Sequence, residues 1–220
     1  MASPVPVSAR EGYALWADTC DSTLSPIVAL SDRLVRGCLE RIPSPRRVFD
    51  VGAGTGRWTA RLGAIGLDAS PEMLAVAATK PGLRGRLAVG DAMGLPIADA
   101  SADLVLCTLM LGYAHDPLRA WRELTRVVKP GGSLILTDFH PAAATYGWRR
   151  TFRAHGQVYE IENHAYSLAQ LTAEGLLLRE HVDATFGEPE RDLFERAGKE
   201  AFFETARRTP AVLAAWWTRV

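Results

Sequence analysis

A glycine-rich turn between a strand-like and a helix-like segment constrains the fold of this chain more than any other feature. Residues 47–51 form a short β-rich run, three glycines follow at alternate positions, and residues 55–62 have the character of a short helix. Glycine permits backbone angles and a close ligand approach that a Cβ would prevent, and a helix start offers unpaired amide groups. The turn therefore predicts either a loop for a nucleotide-type cofactor or a structural strand-to-helix turn.

The spacing of these glycines argues against two other ligand-binding loops. A dinucleotide-binding loop has the pattern G-x-G-x-x-G, whereas Gly52, Gly54 and Gly56 form G-x-G-x-G and Arg57 occupies the place of the third glycine. A phosphate-binding loop ends in Gly-Lys followed by Ser or Thr, and this ending does not occur here. An NAD-dependent enzyme is therefore a disfavoured alternative.

Strand-like and helix-like segments continue to alternate after the turn. Strands are predicted at residues 65–68, 86–89, 102–107 and 133–138, with capped helices beginning after Ser70 and Asp116. This alternation indicates parallel strands joined by right-handed crossovers. Polar residues fall at or near the strand ends, namely Asp50, Asp68, Asp91, Thr108 and Asp138. Because ligands bind beyond the carboxyl ends of such strands, these residues predict a binding edge.

The segments on either side suggest how the chain is divided. Residues 1–45 are expected to form an N-terminal helical cap, and residues 46–220 the main domain. Residues 141–166 have no steady period and are rich in aromatic residues, so we expect them to form a substrate lid. The last predicted elements are a helix from Ser167 that Gly175 ends, a strand at 176–182, an amphipathic helix at 189–208 and a strand at 211–218.

Composition limits the partners and the expected location. The 25 basic and 25 acidic residues cancel, whereas domains that bind nucleic acid usually carry a basic excess. Scattered arginine pairs such as Arg149-Arg150 are expected on the solvated surface. Three cysteines without metal-ligand spacing indicate free thiols, and no signal peptide or membrane span is expected. We therefore expect a cytoplasmic protein without a nucleic-acid or membrane partner, as a monomer or a homodimer.

Four ordered motifs resemble the class I S-adenosylmethionine-dependent methyltransferases, in particular their small-molecule "type 11" group. The motifs are Asp50-Val-Gly-Ala-Gly-Thr-Gly56, Gly66-Leu-Asp68-Ala-Ser-Pro-Glu-Met73, Gly90-Asp91-Ala92 and Leu124-Thr-Arg-Val-Val-Lys-Pro-Gly-Gly132. Each motif is common singly, but the ordered set is specific. The resemblance implies a doubly wound, mostly parallel seven-stranded sheet with its last strand antiparallel, and S-adenosylmethionine as the cofactor.

The resemblance also implies which residues bind that cofactor. They are Asp50, Gly52, Ala53, Gly54, Asp68, Ala69, Asp91, Ala92, Met93 and Thr108, with Tyr13 and Trp16 closing over them. Asp68 would accept hydrogen bonds from the ribose hydroxyls and Asp91 from the adenine amino group. Asp50 would orient the loop or the cofactor ammonium. Alternatively, the aspartates cap turns, and Tyr13 and Trp16 are core residues.

Alignment and desolvation can supply much of the rate of methyl transfer from a sulfonium. A base is required only when the acceptor must lose a proton, and the candidates are His140, His164 and His115, each of which has a hydrogen-bonded structural role as its alternative. Tyr113 is a further candidate for contact with substrate or cofactor. We find no cluster of metal-ligating residues and expect a metal-independent reaction.

The expected function is methylation of a small-molecule acceptor. One alternative is an RNA-modifying methyltransferase, although residues 107–113 lack the Asn/Asp-Pro-Pro-Tyr/Phe segment typical of enzymes that methylate base amino groups. The other alternative is a catalytically idle, methyltransferase-like binding or partner protein. The sequence leaves open the acceptor and whether its O, N, C or S atom is methylated, since fold does not fix function.

Overall fold

The computed structural model describes residues 3–220, and a seven-stranded sheet forms its centre. The strands are β1 (Val5–Val7), β2 (Val48–Val51), β3 (Ile65–Asp68), β4 (Leu87–Val89), β5 (Ala102–Thr108), β6 (Val128–Phe139), β7 (Thr151–Ala154), β8 (Gln157–Ile161), β9 (Leu176–Ala184) and β10 (Val212–Arg219). The helices are α1 (Ala9–Cys20), α2 (Pro26–Leu39), α3 (Arg57–Leu62), α4 (Pro71–Ala77), α5 (Pro117–Val127), α6 (Pro141–Thr145), α7 (Glu188–Arg196) and α8 (Glu200–Ala206).

The strand order of the main sheet is β4-β3-β2-β5-β6-β10-β9. Strands β2 to β6 pair in parallel, and β10 is antiparallel to both of its neighbours. The predicted doubly wound sheet with an antiparallel last strand is therefore confirmed. The carboxyl ends of five parallel strands consequently meet at one edge, where ligands bind in such folds.

Short polar residues define where the helices behind this edge begin. The side chains of Ser25, Ser70 and Asp116 each accept a backbone amide hydrogen bond at the start of α2, α4 and α5. A proline follows each of them, because its fixed φ suits the first helical position and it has no amide to leave unpaired. These caps turn the chain sharply after each strand, and the predicted helix starts at Ser70 and Asp116 are confirmed.

The core lies against both faces of the central strands. Strand β5 is buried over nearly its whole length, and the corresponding part of β6 is buried as well. Continuous apolar runs of this kind are typical of strands that helices cover on both faces. The ring of Trp121 on α5 packs 4.9 Å from that of Trp217 on β10, measured between ring centroids. The edge that carries the polar residues is therefore supported by the well-packed central strands.

A second, three-stranded sheet contains the middle part of the segment predicted as a lid. Strands β7 and β8 form an antiparallel hairpin, and β1 adds to β8 in parallel. The hairpin packs on α1, where the rings of Phe152 and Trp16 stack with their centroids 5.2 Å apart. Glycine at position 12 permits this approach, since a Cβ there would lie 2.9 Å from Cγ1 of Ile161. Strand β1, helix α1 and the β7–β8 hairpin therefore form one layer.

Two of the predicted helices differ from the structure. The segment after Ser167 forms its capping box but only one 3-10 turn, Leu168–Gln170. The buried indole of Trp121 donates a hydrogen bond of 2.9 Å to the carbonyl of Thr172. This carbonyl is therefore not available for a helical hydrogen bond, and the backbone around it stays outside a helix. The predicted helix at 189–208 is two helices, α7 and α8, because Gly198 lies between them with φ at 65°.

The structure also contains strand residues that the sequence did not predict. The N-terminal segment was expected to be helical, but it contains β1, whose partner β8 lies far along the chain. Strand β6 begins at Val128 rather than at residue 133, and Gly131 carries a φ of 76° within it. Local patterns give no signal for either feature, since β-pairing depends on which strand lies alongside.

Candidate cofactor and acceptor site

The glycine loop lies at the carboxyl end of β2 and folds back on β3. The amides of Gly52 and Ala53 both donate to the carbonyl of Leu67, at 2.8 and 3.0 Å. The φ angles of Gly52, Gly54 and Gly56 are all left-handed, between 54° and 78°. A Cβ at Gly56 would lie 2.6 Å from Leu83, whereas a Cβ at Gly54 would meet nothing within 4 Å. Gly56 is therefore required for packing, and Gly54 presents an open face.

Asp68 connects the loop to the next helix. One carboxylate oxygen accepts from the amide of Gly54 at 2.7 Å, and the other accepts from the amide of Ser70 at 2.8 Å. Burial raises the pKa of Asp68 above its usual 3.8, although these backbone hydrogen bonds partly oppose the shift. The carboxylate therefore lies beside the open glycine and still has lone pairs for further donors.

Asp50 has a buried oxygen atom without a partner. Its side chain is only 1% exposed, and its Oδ2 accepts from the hydroxyl of Thr59 at 2.7 Å. Its Oδ1 has no hydrogen-bond partner within residues 3–220. Burial raises the pKa of Asp50 from 3.8 to about 6, against the opposing effect of Thr59. Because buried polar atoms are nearly always paired, this oxygen is suited to a donor or a cation arriving at the loop.

The loops after β4 and β5 come to the same edge. The amide of Gly90 donates to the carbonyl of Asp68 at 2.9 Å, which places the exposed Asp91 next along the edge. Asp91 accepts from the amide of Met93 at 2.9 Å. The remaining predicted contacts differ in exposure: Ala69 is exposed, Ala92 is partly buried, and Met93 and Thr108 are buried.

The N-terminal helix is fastened to the glycine loop by an ionic contact that the sequence did not reveal. Asp21 accepts from the hydroxyl of Thr55 at 2.5 Å and pairs with Lys80 at 2.7 Å. Lys80 also donates to the carbonyl of Thr55 at 2.6 Å. Partial burial alone would raise the pKa of Asp21, but its bonds to Lys80 and Thr55 lower it. The three residues are distant in sequence, so no local pattern signals their contact.

Tyr13 and Trp16 have different surroundings. Trp16 is buried, stacks on Phe152 and donates from its indole to the hydroxyl of Thr23 at 3.0 Å. This geometry matches its alternative as a core residue. Tyr13 is only partly buried, and its ring meets that of Tyr113 edge-on with centroids 5.2 Å apart. Tyr13 therefore faces the turn that follows β5.

The three candidate bases are also in different positions. His140 caps α6, since its Nδ1 accepts from the amide of Ala142 at 3.0 Å, and its Nε2 lies 3.0 Å from Asp183. With both ring nitrogens engaged, His140 matches its structural alternative. His164 and His115 are exposed. The amide of His164 donates to the carbonyl of Gly112 at 2.7 Å, which places His164 beside the turn after β5.

A polar and aromatic cluster lies where β5 and β6 end. Asp138 is buried and accepts from the amides of Gly112 and Phe139, each at 2.7 Å, and from the hydroxyl of Tyr166 at 2.6 Å. Burial raises the pKa of Asp138, although these hydrogen bonds oppose the shift. Arg150 points into this cluster and is only partly exposed. The expectation that Arg150 lies on the solvated surface is therefore wrong.

Within residues 3–220, no group of three or more His, Cys, Asp or Glu side chains is placed to hold a metal ion. In the same part of the chain, no helix has both the length and the apolar character needed to cross a membrane.

The fold matches the Rossmann-like architecture of solved methyltransferases. An S-adenosylmethionine-dependent methyltransferase from Mesorhizobium loti has a TM-score of 0.63 at 21% identity, covering 84% of this chain and 95% of that chain. The [4+2]-cyclase SpnF has a TM-score of 0.67 at 22% identity, covering 99% of both chains. At these identities the similarity concerns the fold alone.

The sequence comparisons identify the domain more closely. Residues 49–136 match the family described as a methyltransferase domain. The demethylmenaquinone methyltransferase of Deinococcus radiodurans is 39% identical over 111 residues, 46% of this chain and 46% of that protein. This chain therefore spans about half the length of the curated relatives it matches. The predicted resemblance is confirmed for residues 49–136, and S-adenosylmethionine is the cofactor of this class.

Proposed function

We propose that this protein transfers a methyl group from S-adenosylmethionine to a small-molecule acceptor. The observation that supports this most strongly is the edge formed by the glycine loop. There, Asp68 lies against the open Gly54, and the buried Oδ1 of Asp50 lies without a donor within residues 3–220. A cofactor with vicinal hydroxyls and a cationic amino acid portion matches both features.

The chain's own residues would hold this cofactor along the edge. Gly52 to Gly54 would lie beneath its methionine and ribose, and Asp68 would accept from the ribose hydroxyls. Asp91 would accept from the adenine amino group, and the unpaired oxygen of Asp50 would orient the ammonium through a direct or water-mediated bond. The bound cofactor supplies an activated methyl group on a sulfonium.

The remaining contribution of the protein is alignment, exclusion of water and, for protic acceptors, removal of a proton. The layer formed by α1 and the β7–β8 hairpin would act as the lid that excludes water. His164 and His115, both exposed beside the turn after β5, are the proposed bases for an acceptor that must lose a proton. We propose no metal in this reaction.

The relatives and the charge support the acceptor class in this proposal. The relative in Deinococcus radiodurans is named for demethylmenaquinone, a small molecule, and the present chain has no net charge with which to attract a nucleic-acid backbone. We therefore propose a small-molecule acceptor and not RNA. Binding of tRNA that weakens steeply with salt would contradict this part of the proposal.

The test is titration calorimetry of the purified protein with S-adenosylmethionine and its demethylated product, S-adenosylhomocysteine. Asp68→Ala should weaken both affinities at least about tenfold, the loss expected for a hydrogen-bonded charge. Asp192→Ala is the matched control, since Asp192 is 70% exposed on α7. No binding of either ligand to the unaltered protein would refute the proposal.

A second candidate is a methyltransferase-like protein that binds the cofactor without transferring its methyl group. The observation that favours it is the close structural similarity to a chain named as a [4+2]-cyclase, since one fold hosts different chemistries. Micromolar cofactor binding together with no methylated product from a broad panel of small-molecule acceptors would favour this candidate.

A further inference from the structure

We infer that the acceptor carries an anionic oxygen group, a carboxylate or a phenolate, and that Arg150 binds it. This inference rests on the proposed function and names the substrate class for the same site. Arg150 lies between α6 and β7, where the lid segment meets the carboxyl ends of β5 and β6. Its position alone places a cation beside the expected path of the acceptor.

Arg150 is held in place by contacts that leave its outer nitrogens free. Its Nε donates to the hydroxyl of Tyr113 at 2.5 Å. The central carbon of its guanidinium lies 5.6 Å from the ring centroid of Tyr113 and 5.9 Å from that of Phe139. These contacts fix the plane of the guanidinium, which lowers the entropic cost of binding a planar anion.

No carboxylate of residues 3–220 forms a direct ion pair with this cation. Within residues 3–220, Arg150 forms no ion pair and its two terminal nitrogens form no hydrogen bond. Arg33, by contrast, is paired with a carboxylate: its guanidinium donates to both oxygens of Glu190, at 2.9 and 3.1 Å. A partly buried cation without a directly paired carboxylate is unfavourable, which suggests that a paired anion arrives with a ligand.

The nearest acidic group already has its donors. Asp138 accepts hydrogen bonds from two backbone amides and from the hydroxyl of Tyr166, so both of its oxygens are engaged. Burial alone would lower the pKa of Arg150, but the neighbouring Tyr113 and Tyr13, together with the charge of Asp138, outweigh this effect and raise it. Arg150 therefore stays charged throughout the physiological range and can pair with an anion at any such pH.

The surroundings indicate the kind of anion. The fork of a guanidinium matches two coplanar oxygens, as in a carboxylate, and also binds a single charged oxygen. The rings of Tyr113 and Phe139 lie beside the guanidinium of Arg150, and the ring of Tyr13 meets that of Tyr113 edge-on. A carboxylate or phenolate attached to a planar apolar group would therefore pair with the guanidinium and pack against these rings.

The test uses the protein saturated with S-adenosylhomocysteine, with benzoate as the anionic probe and benzamide as its neutral counterpart. Thermal unfolding is followed against probe concentration at constant ionic strength, and the apparent Kd is obtained from the rise in Tm. Four proteins are compared: the unaltered chain, Arg150→Gln, Arg150→Lys and the control Arg149→Gln. Arg149 is the adjacent arginine, but its side chain is 54% exposed and it pairs weakly with Glu160.

We expect Arg150→Gln to bind benzoate about tenfold or more less tightly than the unaltered protein. The benzoate affinity of Arg150→Lys should be intermediate, and that of Arg149→Gln should be unchanged. Benzamide should have little effect on the Tm of any of the four proteins. Arg150→Lys carries the comparison if Arg150→Gln does not fold. Equal benzoate affinity in all four proteins, or no effect of benzoate on the unaltered protein, would overturn the inference. Loss of S-adenosylhomocysteine affinity in Arg150→Gln would also overturn it, by assigning the guanidinium to the cofactor. If the unaltered protein does not bind S-adenosylhomocysteine, it is the proposed function that fails.

Discussion

Replacing Asp50 with asparagine should remove a pH-dependent loss of stability from the ligand-free protein and weaken cofactor binding. The carboxylate is almost fully buried, and its Oδ1 has no partner within residues 3–220. Burial raises its pKa from 3.8 to about 6. Each pKa unit corresponds to about 1.4 kcal/mol, so ionised Asp50 destabilises the fold by about 3 kcal/mol at pH 7.5.

The pH dependence follows from the direction of this shift. Because the pKa of the folded state lies above that of the unfolded state, the folded protein holds its proton more tightly. The resulting stabilisation is complete below pH 3.8 and disappears as the pH rises through about 6. Asparagine does not titrate, so the free energy of unfolding of Asp50→Asn minus that of the unaltered protein should rise by about 3 kcal/mol between pH 3.8 and 7.5.

Urea unfolding at a series of pH values measures this difference directly. A constant offset from the buried amide of asparagine, about 1 to 3 kcal/mol, cancels when only the change with pH is considered. Asp192→Asn, which makes the same substitution on the exposed surface of α7, serves as the control. A difference for Asp50→Asn that does not change with pH would refute the assigned environment. At pH 7.5 the same variant should bind S-adenosylmethionine at least about tenfold more weakly.

Four further substitutions test other parts of the edge. Gly54→Ala and Gly56→Ala should each lower the free energy of unfolding in urea by about 1 to 2 kcal/mol, because alanine is strained in the left-handed conformation. Only Gly56→Ala adds a steric clash, with Leu83. A smaller loss of stability for Gly56→Ala than for Gly54→Ala would contradict this packing. Lys80→Met should speed amide hydrogen exchange in α1 and leave β5 unchanged, because Lys80 binds both Asp21 and Thr55; equal exchange in α1 would argue against the fastening. His140→Ala should lower the free energy of unfolding by about 1 kcal/mol, as expected for a lost helix cap, and should leave cofactor affinity unchanged in calorimetry.

Features that depend on neighbouring residues could be predicted from the sequence. Ser70 and Asp116 predict the start of their helices because a capping side chain accepts from the amides of the next turn. Buried parallel strands such as β5 leave a continuous apolar run, and Gly52 and Gly54 mark a turn whose backbone angles other residues rarely adopt. Each of these signals lies within a few residues of the structure that it specifies.

Features that depend on distant residues could not be predicted in the same way. The pairing of β1 with β8 and the contact of Asp21 with Thr55 join segments that only the folded chain brings together. His140 was predicted as a base from its place after a strand. Its environment depends on Asp183, which lies on β9 and reaches His140 across β10. A sequence pattern locates the edge of the sheet, but the partners of each side chain at that edge come from elsewhere.

Arg150 shows why an incomplete set of partners is informative at such an edge. In the sequence it is one of an adjacent arginine pair, and nothing distinguishes it from Arg149. In the structure Arg149 is exposed and lies near Glu160, whereas Arg150 contacts a phenol and two aromatic rings and has no carboxylate partner within residues 3–220. Asp50 presents the opposite case, a buried acceptor without a donor in the same part of the chain. Such groups cost stability in the ligand-free protein, and one cofactor with one anionic acceptor would satisfy both.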